Sequence, residues 1–135
     1  MKTKMPMVAR VILGLIFFVF GLNGFFHFIP MPAEVPEKIM TFMGGLMSSG
    51  FFIPLLKGTE VVCGALLIVG AFVPLALVVL APIILNIFLT HAFLDPNAFA
   101  MTLATVIGLL EIYLAFFAKP YSDIVKQLFQ LRSFK

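Results

Sequence analysis

The stretch FFIPLLKGTEVVCGALLIVG, at residues 51–70, decides how this chain folds. It is apolar enough to cross a lipid bilayer, yet it carries Lys57 and Glu60 three residues apart, which places both on one side of a helix. A charged side chain near the bilayer centre costs about 2.5–3.5 kcal/mol, so it normally faces the protein interior and has a partner. We therefore predict a membrane-spanning helix whose two charges are held inside a helical bundle.

The composition of the whole chain supports a membrane location. Of its 135 residues, 62% are hydrophobic and only 11% are charged. Soluble domains are typically about 45–50% apolar and about 25% charged. We therefore predict an integral membrane protein with one transmembrane domain over residues 1–135. The basic residues show no nucleic-acid signature, and the single Cys63 is predicted to be a buried thiol.

Four apolar segments are each long enough to cross about 30 Å of hydrocarbon, which takes about 20 helical residues. They cover residues 8–29, 51–72, 74–94 and 99–118. The expected fold class is therefore all-α, a four-helix membrane bundle with a tight hairpin between the second and third spans.

Topology follows from the basic residues, most of which lie near the two chain ends. These are Lys2, Lys4, Arg10, Lys119, Lys126, Arg132 and Lys135. Positive charge accumulates on the cytoplasmic side of membrane proteins, which predicts that both termini face the cytoplasm.

Two further segments have amphipathic patterns. KIMTFMGGLMSSG, at residues 38–50, predicts a short helix at the outer interface between the first two spans. It either covers the mouth of the bundle or forms a Met-lined lid for an apolar ligand. The tail at residues 121–135 predicts an amphipathic helix on the cytoplasmic face, held by apolar area and anionic lipid.

Six polar residues of the first three spans are predicted to gather in the outer half of the bundle. They are Asn23, His27, Lys57, Glu60, Asn86 and His91. We estimate depth by counting residues from the outer end of each helix at 1.5 Å per residue. Asn23, Glu60 and Asn86 then lie roughly 9–14 Å deep, and the other three residues lie nearer the surface. Two interpretations remain open for these residues. They either contact a ligand, or they form interhelical hydrogen bonds and a neutralised ion pair that only fix helix packing.

The fourth span carries small residues on one face, at Ala100, Ala104 and Gly108. Helices in lipid associate through close packing of such residues, so we expect this face to contact a neighbour. Glu111 continues nearly the same stripe and is predicted to point into the bundle.

Metal and haem sites are disfavoured. His27 and His91 have similar depth, as bis-His haem ligation requires, but both lie near the surface and no Arg is placed for the propionates. A zinc ion would have only Glu60 as a third ligand, beside the repelling charge of Lys57. We therefore predict no metal site and no intrinsic cofactor.

Three stretches carry a resemblance to a known family. They are Ala9-Arg10 followed by LGLIFFVFGLNGFF at 13–26, GFFIPLLKGTEVVCGALLIVG at 50–70, and FVPLALVVLAPIILNIFLTH at 72–91. With these stretches the chain resembles the DoxX family of small bacterial and archaeal membrane proteins. The resemblance implies a multi-pass bundle in the inner (cytoplasmic) membrane of a prokaryote. The family's name-giving member is a subunit of a thiosulfate:quinone oxidoreductase.

Two hypotheses for function follow. The first is a subunit or accessory of a quinone-linked membrane redox system, with a quinone or lipid in the outer-half pocket and Glu60 as a proton relay. The second is a non-enzymatic structural or assembly subunit, or a small carrier, in which the polar residues only fix helix packing. Under either hypothesis the lipid bilayer is a partner of the protein. Both hypotheses are also compatible with a homo-oligomer or a larger membrane complex.

Overall fold

The structure, a computed structural model, describes residues 4–26, 28, 36–94 and 98–128 and is all-helical over them. Its helices are α1 (Met5–Phe26), α2 (Glu37–Ser48), α3 (Phe52–Val69), α4 (Val73–Phe93), α5 (Ala98–Ile112), a π-helical segment (Tyr113–Phe117) and α6 (Lys119–Gln127). Four of the described helices are long and apolar enough to cross a membrane, with α5 and the π-helical segment counting as one. The predicted number of long apolar helices is therefore confirmed, and their bounds lie within three residues of the predicted segments.

The bundle surface is as apolar as its core, which is typical of a protein surrounded by lipid. Phe26, Val69, Phe93 and Phe99 each expose 72–79% of their surface. Because membrane helices bury only the stripe that faces their neighbours, the outward faces remain hydrophobic where a soluble protein would carry charge.

Helix α1 packs most extensively against α3, and the two run antiparallel. Near one end of the pair, the Arg10 guanidinium group contacts the backbone of Gly70, where α3 ends. Near the other end, the Lys57 side chain contacts Gly24. The start of α1 also borders the second half of the fourth span, since Val8 and Tyr113 line one cleft. The described chain therefore begins at the end of the bundle where the fourth span finishes.

The connection between α3 and α4 is the tight hairpin that the sequence predicts. Gly70 has φ 83° and Phe72 has φ 52°, so two residues of this three-residue link adopt left-handed backbone. The Gly70 and Ala71 amides both donate to the Leu66 carbonyl oxygen, at 2.9 and 3.0 Å, which caps α3. The link is therefore short enough to keep the two spans adjacent.

The fourth span ends in the π-helical segment, and the chain then turns back onto the bundle. The Ala118 amide donates to the Tyr113 carbonyl oxygen at 2.8 Å, and the extended backbone of Ala118 then ends the helix. Helix α6 follows and buries Ser122 and Val125. Helix α6 covers the first part of the predicted tail helix, and residues 129–135 of that prediction lie outside the described residues. One face of α6 packs on protein, while its other face, with Ile124, is exposed.

Helix α2 forms where the sequence predicts a short amphipathic helix. None of its residues is buried, and Met40 and Met47 expose 63% and 64% of their surface. Its half-buried residues Ile39, Phe42, Met43 and Leu46 share one face, and the helix contacts α3, so α2 is a surface element that packs only lightly on the bundle.

Candidate functional site

Glycines bring the backbones of α1 and α3 into direct contact. A Cβ atom built on Gly64 would lie 2.6 Å from the Phe18 amide nitrogen and 2.7 Å from the Gly14 carbonyl oxygen. Real Cβ atoms do not approach backbone atoms so closely, so only glycine fits there. The close approach fixes how the two helices are rotated relative to each other.

The same interface continues toward the C-terminal end of α1 with Gly21 and Gly24. A Cβ atom on Gly21 would lie 2.7 Å from Cγ2 of Val61, and one on Gly24 would overlap Cγ of Lys57. The aliphatic part of the Lys57 side chain therefore lies against the α1 backbone. This contact holds the lysine in the helix interface and limits how far its ammonium group can extend toward water.

Lys57 and Glu60 form an ion pair inside α3, as the sequence predicts. The Lys57 Nζ and Glu60 Oε1 atoms are 3.6 Å apart, and the two side chains are 24% and 4% exposed. Glu60 shares the buried stripe of α3 with Cys63, Gly64 and Leu67. The separation exceeds the roughly 2.7–2.9 Å of a charge-assisted hydrogen bond. The pair therefore balances charge while leaving hydrogen-bonding capacity on the carboxylate.

The other predicted site residues are spread over different surroundings. Asn23 and His91 are half-buried, and each makes interactions within the protein. Asn86 is exposed, and its backbone carbonyl oxygen accepts a hydrogen bond of 2.7 Å from Thr90 Oγ1. His27 lies outside the described residues, and so does any haem or zinc site that would use it.

The structure does not support the predicted pocket shared by the first three spans. Asn86 follows the buried Ile84 by two residues, which is about 200° around the helix, so it points away from the α4 core stripe. Pro82, one turn earlier, is exposed as well, so Pro82 and Asn86 share an outward face of α4. Neither of the two clefts described here includes any of the six predicted residues. Ligand binding by those residues remains a prediction.

The second buried carboxylate is Glu111, which points into the bundle as predicted and is 7% exposed. It lies between α4 and α5 at a cleft of about 390 Å³, whose walls include Ile84, Phe88 and Phe116. Gly108 belongs to this cleft too, and a Cβ atom built there would meet nothing within 4 Å. The small-residue stripe of the fourth span therefore borders open space at Gly108, where we expected close helix packing.

A larger cleft of about 650 Å³ separates the start of α1 from the second half of α5. Its walls are almost entirely apolar, and Lys4 lies at its border with Val8, Leu110 and Tyr113. The sequence did not predict either cleft, because each is a gap whose presence depends on how the facing helix packs.

Among the described residues, no three His, Cys, Asp or Glu side chains lie close enough together to hold a metal ion. The site therefore consists of one ion pair and one separate carboxylate, both at membrane depth.

The fold and these buried charges define a multi-pass helical membrane protein. A family model described as DoxX matches residues 5–92, which includes α1 to α4 except for the last residue of α4. The chain belongs to the DoxX family. No curated protein and no solved structure matches it in the two other comparisons.

Proposed function

We propose that this protein is a subunit of a quinone-linked redox system in the cytoplasmic membrane of a prokaryote, with both termini in the cytoplasm. In this orientation α2 lies at the outer interface, and the whole chain forms one transmembrane domain. The proposal draws on the DoxX membership, on the four apolar spans and on the basic chain ends. Whether present as one copy or as a homo-oligomer, the chain would act within a larger complex and receive electrons from a different subunit that carries a redox centre.

The observation that carries the proposal is the Lys57–Glu60 pair, 3.6 Å apart and inside a membrane span. Ionisable residues at this depth are costly and normally mark functional sites. Reduction of a quinone to a quinol takes up two electrons and two protons, so a subunit that supports it needs a proton route through the apolar layer. Glu60, balanced by Lys57, would pass those protons along. Asn23, His27 and His91 would assist as hydrogen-bonding residues.

The test measures quinone reduction in native membranes, using thiosulfate as electron donor and decyl-ubiquinone as acceptor. Glu60→Gln should abolish the protein-dependent rate while the protein still folds, because the amide cannot take up and release a proton. Glu37→Gln is the matched control, since it changes an exposed acid on α2. An unchanged rate in Glu60→Gln would remove Glu60 from the mechanism.

A second function is favoured by the contact between Lys57 and Gly24. Because the lysine stem is part of the α1–α3 interface, the ion pair would fix helix packing in a non-enzymatic assembly subunit or carrier. Mass spectrometry of the purified protein distinguishes the two functions. Recovery of a stoichiometric quinone supports the redox role, and a purified protein free of quinone supports the structural one.

A further inference from the structure

The cleft between α4 and α5 has the construction of a ligand site. It opens on the side of the bundle between Leu85 and Leu109, which expose 59% and 61% of their surface. Its volume of about 390 Å³ lies within the range of roughly 300–1,000 Å³ that is typical of small-molecule sites. Because the opening faces the hydrocarbon layer, only a lipid-soluble molecule can enter it.

The polar group of this cleft is Glu111, which is more than nine-tenths buried. Within the part of the chain that the structure describes, its Oε1 atom has no hydrogen-bond partner and no contact with solvent. A buried polar atom left without a partner is destabilising, so such an atom in a native protein requires an explanation. Glu111 also lines the cleft, so a small rotation of its side chain would bring this oxygen to a ligand that donates a hydrogen bond, and such a ligand supplies the missing partner.

Two features keep the space beside Glu111 open. Gly108, one turn before it, has no side chain to fill the cleft, and a Cβ atom there would meet nothing within 4 Å. Phe116 belongs to the π-helical segment and forms part of the wall. Short π-helical insertions are rare and are often found at functional sites.

Depth limits the chemistry of the ligand. Glu111 lies six residues before the end of the span at Phe117, or about 9 Å along the helix axis. A phospholipid headgroup remains at the interface and does not reach this level. Phe88 and Phe116 offer flat apolar walls, while the carboxylate requires a hydrogen-bond donor.

We propose that the α4–α5 cleft binds an apolar, lipid-soluble molecule that carries a hydroxyl group, and that the hydroxyl donates a hydrogen bond to Glu111. Either a hydroquinone ring or a polyprenyl alcohol has this chemistry. The site uses neither Lys57 nor Glu60, so it goes beyond the redox role proposed above and stands if that role fails.

The experiment uses the full-length protein in nanodiscs and three radiolabelled probes, with empty nanodiscs as the control for partitioning into lipid. The probes are decyl-hydroquinone, its dimethyl ether and farnesol. We expect saturable binding of decyl-hydroquinone to the protein. The dimethyl ether should bind at least about tenfold more weakly, because it has lost the donors while keeping the ring and chain. Farnesol then distinguishes the two classes of ligand, the hydroquinone ring and the polyprenyl alcohol. Competition by farnesol assigns the site to chain alcohols, and failure to compete assigns it to the ring.

Matched variants test whether the probe binds in the α4–α5 cleft. Gly108→Leu should abolish binding by filling the cleft, whereas Gly58→Leu should leave it unchanged. Gly58 is the appropriate control because it too is a helical glycine with open space around it, and it lies outside this cleft. Glu111→Leu should lower the affinity for decyl-hydroquinone to that of the dimethyl ether. If Glu111→Leu does not fold, the two glycine variants decide the location.

Three results would overturn the proposal. They are equal affinities for the hydroquinone and its dimethyl ether, wild-type binding by Gly108→Leu, and no binding beyond empty nanodiscs. Glu60→Gln separates this site from the proposed redox role, since it should bind the probe normally even where quinone turnover is lost.

Discussion

Two helix interfaces of this bundle use small residues in opposite ways. Between α1 and α3, each of the glycines at Gly14, Gly21 and Gly64 is covered by backbone or side-chain atoms of the facing helix within 3 Å of a built Cβ. Between α4 and α5, Gly108 faces open space and borders a cleft. The first interface is filled, and the second keeps a cavity beside a buried carboxylate.

The comparison shows that small-residue spacing alone does not identify a tight membrane interface. The fourth span has Ala104 and Gly108 four residues apart, which is the spacing associated with close helix packing. The tight contact instead uses Gly14 and Gly21, seven residues apart, because Gly64 on α3 lets the two backbones meet. A small residue becomes a packing residue only when the facing helix supplies atoms to cover it.

Breaking the Lys57–Glu60 ion pair at the α1–α3 interface should have the largest effect on the stability of the protein. Lys57→Met leaves Glu60 buried without its cation, and we expect the free energy of unfolding to fall by about 3–5 kcal/mol. Unfolding can be followed by SDS titration in mixed micelles, with reaction of the single Cys63, which is buried in the native state, as a second readout.

The double variant Lys57→Met with Glu60→Leu is the control for this prediction. It removes both charges and should recover most of the lost stability, since no unpaired charge remains in the core. A loss below about 1 kcal/mol for Lys57→Met alone, which is the scale of an exposed pair, would show that Glu60 is not enclosed as described.

Gly64→Ala tests the backbone contact of the same interface. Its new Cβ atom would meet the backbones of Phe18 and Gly14, which cannot yield as a flexible side chain would. We expect the free energy of unfolding to fall by about 1–3 kcal/mol, the usual cost of overpacking. Gly58→Ala in the same helix meets nothing within 4 Å and should cause no loss. Equal losses in the two variants would contradict the close approach of α1 and α3.

Local features of this chain were predictable from its sequence. Hydropathy located the four spans, the short link between them located the α3–α4 hairpin, and helical spacing paired Lys57 with Glu60. Each of these depends on residues that are neighbours in the chain. The burial of Glu111 was also predictable, since a carboxylate in a membrane span is costly to expose to lipid.

The orientation of α4 was not predictable, and the physical reason is specific to membranes. Its buried residues include Leu77 and Leu80, while its exposed residues include Leu85 and Leu89. Because both faces of the helix are equally apolar, hydrophobic periodicity contains no information on which face meets the bundle. The outward direction of Asn86 was therefore not predictable, and the cleft at Gly108 could not be recognised without the position of the facing helix.

The smallest predicted effect is a gain in stability, whereas the variants above lose stability. It tests the open interface between α4 and α5 directly. Gly108→Ala adds a Cβ atom to a space with no atom within 4 Å, so it introduces no clash. Alanine also loses less backbone entropy than glycine within a helix, by roughly 0.5–1 kcal/mol. We therefore expect the ligand-free protein to gain up to about that much in its free energy of unfolding, measured by the same SDS titration. A loss comparable to that of Gly64→Ala would mean that α4 covers Gly108 as closely as α1 covers Gly64, and the contrast between the two interfaces would disappear.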